Sequence, residues 1–151
     1  QRYIGLTGRF GLSSEEQKAI DSWASNTVEK LEQKAKKPLV VGIGENMYLA
    51  LRFGLALSDD SIVQTTTRSP IFASTKEGYP IREKASFQLP DADGVNQFIY
   101  NLNGLDVDRI YLLAESVSDP AAWSPLISYL EKKAPVEWIS LTAAKRRNST
   151  Q

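Results

Sequence analysis

The stretch Leu39-Val40-Val41-Gly42-Ile43-Gly44-Glu45-Asn46-Met47-Tyr48 decides the fold class. It opens on a short apolar, β-branched run of the kind that forms a strand buried on both faces. Two glycines follow, and then Glu45 to Leu57, which is apolar nearly all round and is expected to be a core helix. A strand, a small-residue turn and a helix make the opening unit of a parallel α/β sheet.

On the amino side of this unit, residues 1–12 read as a loop punctuated by Gly5, Gly8 and Gly11. Ser13, with Glu16 three residues on, is a capping box that starts a helix. Ile20, Trp23, Ala24, Val28 and Leu31 form its apolar stripe, and Lys34, Lys36 and Lys37 are expected to close it where the helix dipole favours cations. On the carboxyl side, Ile62 to Thr66 reads as a second strand running into Thr65-Thr66-Thr67-Arg68-Ser69-Pro70. Residues 71–95 are polar and scattered with Gly78, Pro80, Pro90 and Gly94. They are expected to be a lid-like insertion with few ordering contacts, holding one short strand at Ala85 to Leu89.

Gln97 to Leu102, a turn at Asn103-Gly104 and a strand at Arg109 to Ala114 come next. Asp119-Pro120 opens a helix with Trp123, Leu126, Ile127 and Leu130 inward; Pro125 demands a kink or a start at Ser124. Val136 to Leu141 is a last strand, and residues 143–151 a basic tail. Trp23, Trp123 and Trp138 sit in apolar patterns and are expected in the core. The order predicts one α/β domain over residues 1–151, Rossmann-like, with a largely parallel sheet flanked by helices.

Composition narrows the chemistry. Eighteen basic and eighteen acidic residues cancel, so no basic field invites nucleic acid, and any anion site must be built locally. There is no cysteine and no histidine, which removes thiolate catalysis, Cys-ligated zinc and the usual general base. Carboxylates remain able to hold Mg²⁺ or Ca²⁺ through oxygen ligands. The apolar run Leu49 to Leu57, interrupted by Arg52, is too short to span a bilayer, and a cytoplasmic home is expected. The first residue is Gln1, and the chain is read as a piece of a longer one. The oligomeric state stays open.

Ligands of open parallel sheets bind beyond the carboxyl ends of the strands. Gly42-Ile43-Gly44-Glu45-Asn46 falls at such an end: glycines admit a ligand close to the backbone, though tight strand-to-helix packing explains them equally. Glu45 is either a stabilising first-turn acid or a partner for a ribose hydroxyl or Mg²⁺. In Thr65, Thr66, Thr67, Arg68 and Ser69, four hydroxyls and a guanidinium suit a phosphate. The competing reading is a Thr-rich strand end with Arg68 in a salt bridge. Tyr48, Tyr100 and Asn101 border this region, and Glu115 and Ser116 follow the Arg109 to Ala114 strand. With histidine absent, Glu45, Glu115 and Tyr100 are the candidates for acid–base work.

At these residues the chain resembles the TRSP domain, which lies on the carboxyl side of a phosphoribosyltransferase domain in bacterial proteins. The resemblance rests on Val40 to Tyr48, on Gln64 through Ile71, and on Asp93-Gly94 leading to Phe98-Ile99-Tyr100-Asn101. It implies a link to tellurite-resistance and stress-response gene clusters, and a role in making a nucleoside-like metabolite. The implied ligand is a phosphorylated sugar or nucleotide-like molecule, and the implied partner a phosphoribosyltransferase domain in the same or a companion chain. It supplies no established catalytic residues. The element order also resembles that of type I phosphoribosyltransferases, with residues 71–95 as the hood. Ile110 to Asp119 then stands where those enzymes carry an acidic pair and a Thr/Gly-rich phosphate loop. Only Glu115 matches, which implies a degenerate copy without the usual transfer activity.

Overall fold

The computed structural model describes residues 11–44, 46–89, 95–114 and 120–141. α1 (Ser14–Glu29) begins as the capping box requires: the Ser13 hydroxyl accepts from the Glu16 amide, and the Glu16 carboxylate accepts from the Ser13 amide at 2.8 Å. It then buries Ile20, Ala24 and Val28. The helix stops at Lys30, so Lys34, Lys36 and Lys37 lie beyond it and do not close its last turn. They belong to the turn into β1 (Pro38–Gly42), whose five residues are all buried.

α2 (Met47–Leu57) returns from β1 to β2 (Ile62–Thr65). β3 (Lys84–Gln88) and β4 (Asn96–Tyr100) follow, then β5 (Arg109–Ala114), α3 (Pro120–Glu131) and β6 (Val136–Ser140). The main sheet has four strands in the order β2-β1-β5-β6, and every neighbouring pair is parallel. β3 and β4 form a separate antiparallel pair. β4 therefore does not join the parallel sheet; an isolated antiparallel bridge, Thr67 with Phe98, ties it to the residues just past β2. α3 starts at Pro120, not Ser124, and carries Pro125 in its interior.

Two apolar layers cover the sheet. On one face Val40, Tyr111, Leu113 and Ile139 pack with α1 and α2, around Phe53, which meets Trp23 and Tyr111 at ring-centroid distances of 6.0 and 5.7 Å. On the other face Leu39, Val41, Ile110, Leu112 and Ala114 pack with α3 and with Ile99 and Leu102. There Trp123 and Trp138 stand edge to face at 4.9 Å. Trp123 is fully buried, whereas Trp23 and Trp138 keep partial exposure. α2 departs from the expectation of a core helix. It buries Leu49, Ala50, Phe53 and Gly54, but Met47, Leu51 and Leu55 point outward.

The amino edge of the sheet is clamped by one carboxylate. Asp108, just ahead of β5, accepts the amides of Lys36 and Lys37 at 2.8 and 2.9 Å. These bonds, the Lys36 amide first, hold its carboxyl below the usual Asp range despite a smaller opposing pull from desolvation. The sign follows directly. A carboxyl with a depressed folded-state pKa adds stability that is fully present above the unfolded pKa, about 4, and is lost as pH falls through the lower folded value. Asp108→Asn is expected to lower stability at neutral pH and to flatten its fall as pH drops below about 4, measured by urea midpoints at each pH.

Candidate functional site

The chain leaves β1 for β2 on one side, then crosses back to β5 on the other, so the sheet order reverses around β1. The switch point lies between β1 and β5, and ligands of open α/β sheets bind outside the carboxyl ends of the strands. At the carboxyl ends of β1 and β2 lies an open cleft of about 350 Å³, lined by Gly44, Met47, Thr65, Thr66, Thr67, Arg68 and Ser69. The Gly-x-Gly turn and the TTTRS run therefore meet in space.

Their junction is one threonine. Thr66 is buried, and its hydroxyl accepts the Gly44 amide at 2.8 Å while donating to the Gln97 carboxamide oxygen. Both roles are spent inside the protein, so Thr66 shapes the cleft and has no hydroxyl proton to give a ligand. Thr65 is likewise buried. Thr67 exchanges backbone bonds with Phe98 at 3.0 and 2.8 Å, and its hydroxyl donates to the Ser69 carbonyl. Gln97 was not a sequence candidate. The period-two alternation of β4 carries the signal, since it places Gln97 with Ile99 on the buried side.

Arg68 and Ser69 are the exposed members of the run. Among the described residues Arg68 makes no ion pair and no side-chain hydrogen bond, so the salt-bridge alternative finds no partner there. The cleft also receives the start of α2. Asn46, at the cap position, makes no side-chain cap bond; its Nδ2 donates instead to the Ile43 carbonyl at 3.0 Å. Met47, the first residue of α2, lines the cleft, so the positive end of the helix dipole lies beside it.

The two glycines have different jobs. A Cβ at Gly42 would lie 2.8 Å from the Asn46 carbonyl oxygen and 3.1 Å from the Ala50 Cβ, so Gly42 serves the packing of strand against helix. Gly44 has φ +64° and nothing nearer than 3.8 Å, so its backbone turn, not crowding, requires glycine.

Other candidates are structural or fall elsewhere. The Tyr100 hydroxyl accepts the Ile71 amide at 2.8 Å and donates to the Ser69 carbonyl at 3.2 Å, which anchors both sides of Pro70. Asn101, at φ 55°, accepts the amides of Arg82 and Glu83 and donates to the Pro80 carbonyl. These bonds tie the described part of the insertion, residues 71–89, to the far end of β4, and none of residues 71–89 lines the cleft. Tyr48 packs half-buried against the α1–α2 core. Glu45, Glu115 and Ser116 lie outside the described residues. Among the described residues no three acidic side chains cluster as a metal site, and no helix is long and apolar enough to cross a membrane.

Residues 6–130 match the family model described as "TRSP domain C terminus to PRTase_2", PRTase being phosphoribosyltransferase. A search of curated proteins gives no significant match.

Proposed function

This chain belongs to the TRSP domain family, whose members lie C-terminal to a phosphoribosyltransferase domain, and we propose that it binds the phosphate of a phosphorylated sugar or nucleotide-like ligand. The observation that carries this reading is Arg68, exposed on the cleft wall with no protein counter-charge among the described residues. A guanidinium offers a planar pair of donors matched to phosphate oxygens. The Ser69 hydroxyl adds a donor, and the start of α2 at Met47 adds positive potential from the same cleft. Net charge is zero, so the attraction is local rather than a property of the whole surface.

Chemistry is shared with, or performed by, the phosphoribosyltransferase domain. The chain has no histidine or cysteine, and Tyr100 spends its hydroxyl on two backbone groups. Glu45 follows Gly44 and Glu115 follows β5, positions from which carboxylates contact ribose hydroxyls or Mg²⁺. The ligand serves a nucleoside-like metabolite in a bacterial cytoplasm, in the setting of tellurite resistance and stress response that the family resemblance implies. Thermal melts with phosphoribosyl pyrophosphate, ribose 5-phosphate and nucleoside monophosphates test the binding. At a hundredfold excess over Kd, linkage adds roughly 2.7 kcal/mol. For a domain of this size that is about 5 to 10 °C in Tm. Flat melts across the panel would leave the domain with an assembly role only.

A further inference from the structure

The outward face of α2 is apolar where a solvent-facing helix would be charged. Met47, Leu51 and Leu55, at i, i+4 and i+8, are 61%, 44% and 52% exposed and stand in one row. The only charged side chain on the helix, Arg52, is paired with Asp21 of α1 at 2.6 Å and turned away to that contact. Isolated exposed leucines need no explanation, but an aligned row with no charge of its own marks a contact surface.

The fold says which neighbour reaches it. Gln33, just past α1, meets Arg109 at 2.7 Å and Tyr111 at 3.2 Å, and Lys36 and Lys37 meet Asp108, so α1 ends at the amino edge of the sheet. Asp21 pairs with Arg52 and Trp23 with Phe53, so α1 and α2 lie side by side and run the same way, from the carboxyl edge down. In this family the phosphoribosyltransferase domain comes before the matched segment, and so joins the chain ahead of α1, whose first turn stands at the carboxyl edge. That is the edge where Met47 opens both the apolar row and the cleft. A tethered domain arriving there meets the row at high effective concentration.

We infer that the Met47–Leu51–Leu55 face of α2 is the docking surface for the phosphoribosyltransferase domain, seating that domain's active site beside the Arg68 cleft. The apolar row forms the dry centre of the contact, with polar groups at its rim. This inference rests on the family's domain order and on α2, and it survives even if no phosphate binds at Arg68.

Met47 is the single methionine of the chain, so one ¹³C-methyl resonance reports on the row. The 151-residue chain, labelled at that methyl, is titrated with the family's companion phosphoribosyltransferase domain as a separate polypeptide, with no small ligand added. The expected result is a saturable shift or broadening of the Met47 signal. Leu51→Glu and Leu55→Lys each weaken the association by about tenfold or more, as charges buried in an apolar contact do. Both residues are solvent-facing, and unchanged melting curves establish that the variants fold. Three results overturn the inference: an unresponsive Met47 signal, a response that persists in Leu51→Glu, or self-association of the chain alone that Leu51→Glu abolishes.

Discussion

Arg68→Ala is expected to weaken binding of a phosphorylated ligand ten- to a hundredfold while leaving the free protein's stability almost unchanged. The guanidinium is exposed on the cleft and makes no bond to the described protein. Its removal therefore strips the fold of nothing and costs about 0.5 kcal/mol or less. In the complex, charge-assisted hydrogen bonds to phosphate contribute about 1.5 to 3 kcal/mol, and tenfold in affinity corresponds to about 1.4 kcal/mol. Arg68→Lys restores binding only partly, because an ammonium cannot present two donors in a plane. Calorimetric titration of the ligand found in the melting panel, beside denaturation of the free variants, separates the two effects. A fall in stability with affinity unchanged would show that Arg68 holds the fold instead of a ligand.

Much of the fold was legible because burial and punctuation agree along the chain. Val40 and Val41, and Ile110 to Leu113, are apolar runs bounded by turns, and both became central strands of the parallel sheet. The capping box at Ser13 specified a helix start to the residue. The end of α1 was not legible, since residues 30–37 contain no glycine or proline and scan as helix formers. There the Asp108 carboxylate, far away in sequence, captures two amides and pulls the chain into β1. The outward row on α2 was hidden for a different reason. Apolar residues on every side of a helix do not say which side a neighbouring element covers. In the site, hydroxyl-rich composition pointed to the right run but could not separate hydroxyls spent inside from those that face out. Thr66 turns inward because a Gly44 amide and a buried Gln97 await it; Arg68, two residues on, has left the sheet for the surface.

Gly42→Ala is expected to destabilise the ligand-free protein by about 1 to 3 kcal/mol, the range for forcing a methyl into a packed interior. The new Cβ would sit 2.8 Å from the Asn46 carbonyl oxygen, 3.1 Å from the Ala50 Cβ and 3.2 Å from the Thr65 Cγ2. The first of these is backbone, and it already accepts the Ala50 amide at 3.1 Å in the opening turn of α2. Relief requires the helix to lift from the strand, which loosens the contact that buries Val40 against Ala50 and Phe53. In thermal melts the loss corresponds to about 3 to 10 °C. Gly44→Ala costs roughly 1 to 2 kcal/mol for another reason, its left-handed backbone, and Gly44→Asn is milder because asparagine tolerates that conformation. Asparagine at position 42 brings no such relief, since the obstacle there is volume and not φ. Adding Ala50→Gly to Gly42→Ala removes the 3.1 Å contact but leaves the carbonyl at 2.8 Å, so the double variant recovers only part of the loss. An unchanged melting temperature in Gly42→Ala, with ligand affinity lowered, would mean that this glycine exists to admit a ligand and that strand and helix have room to spare.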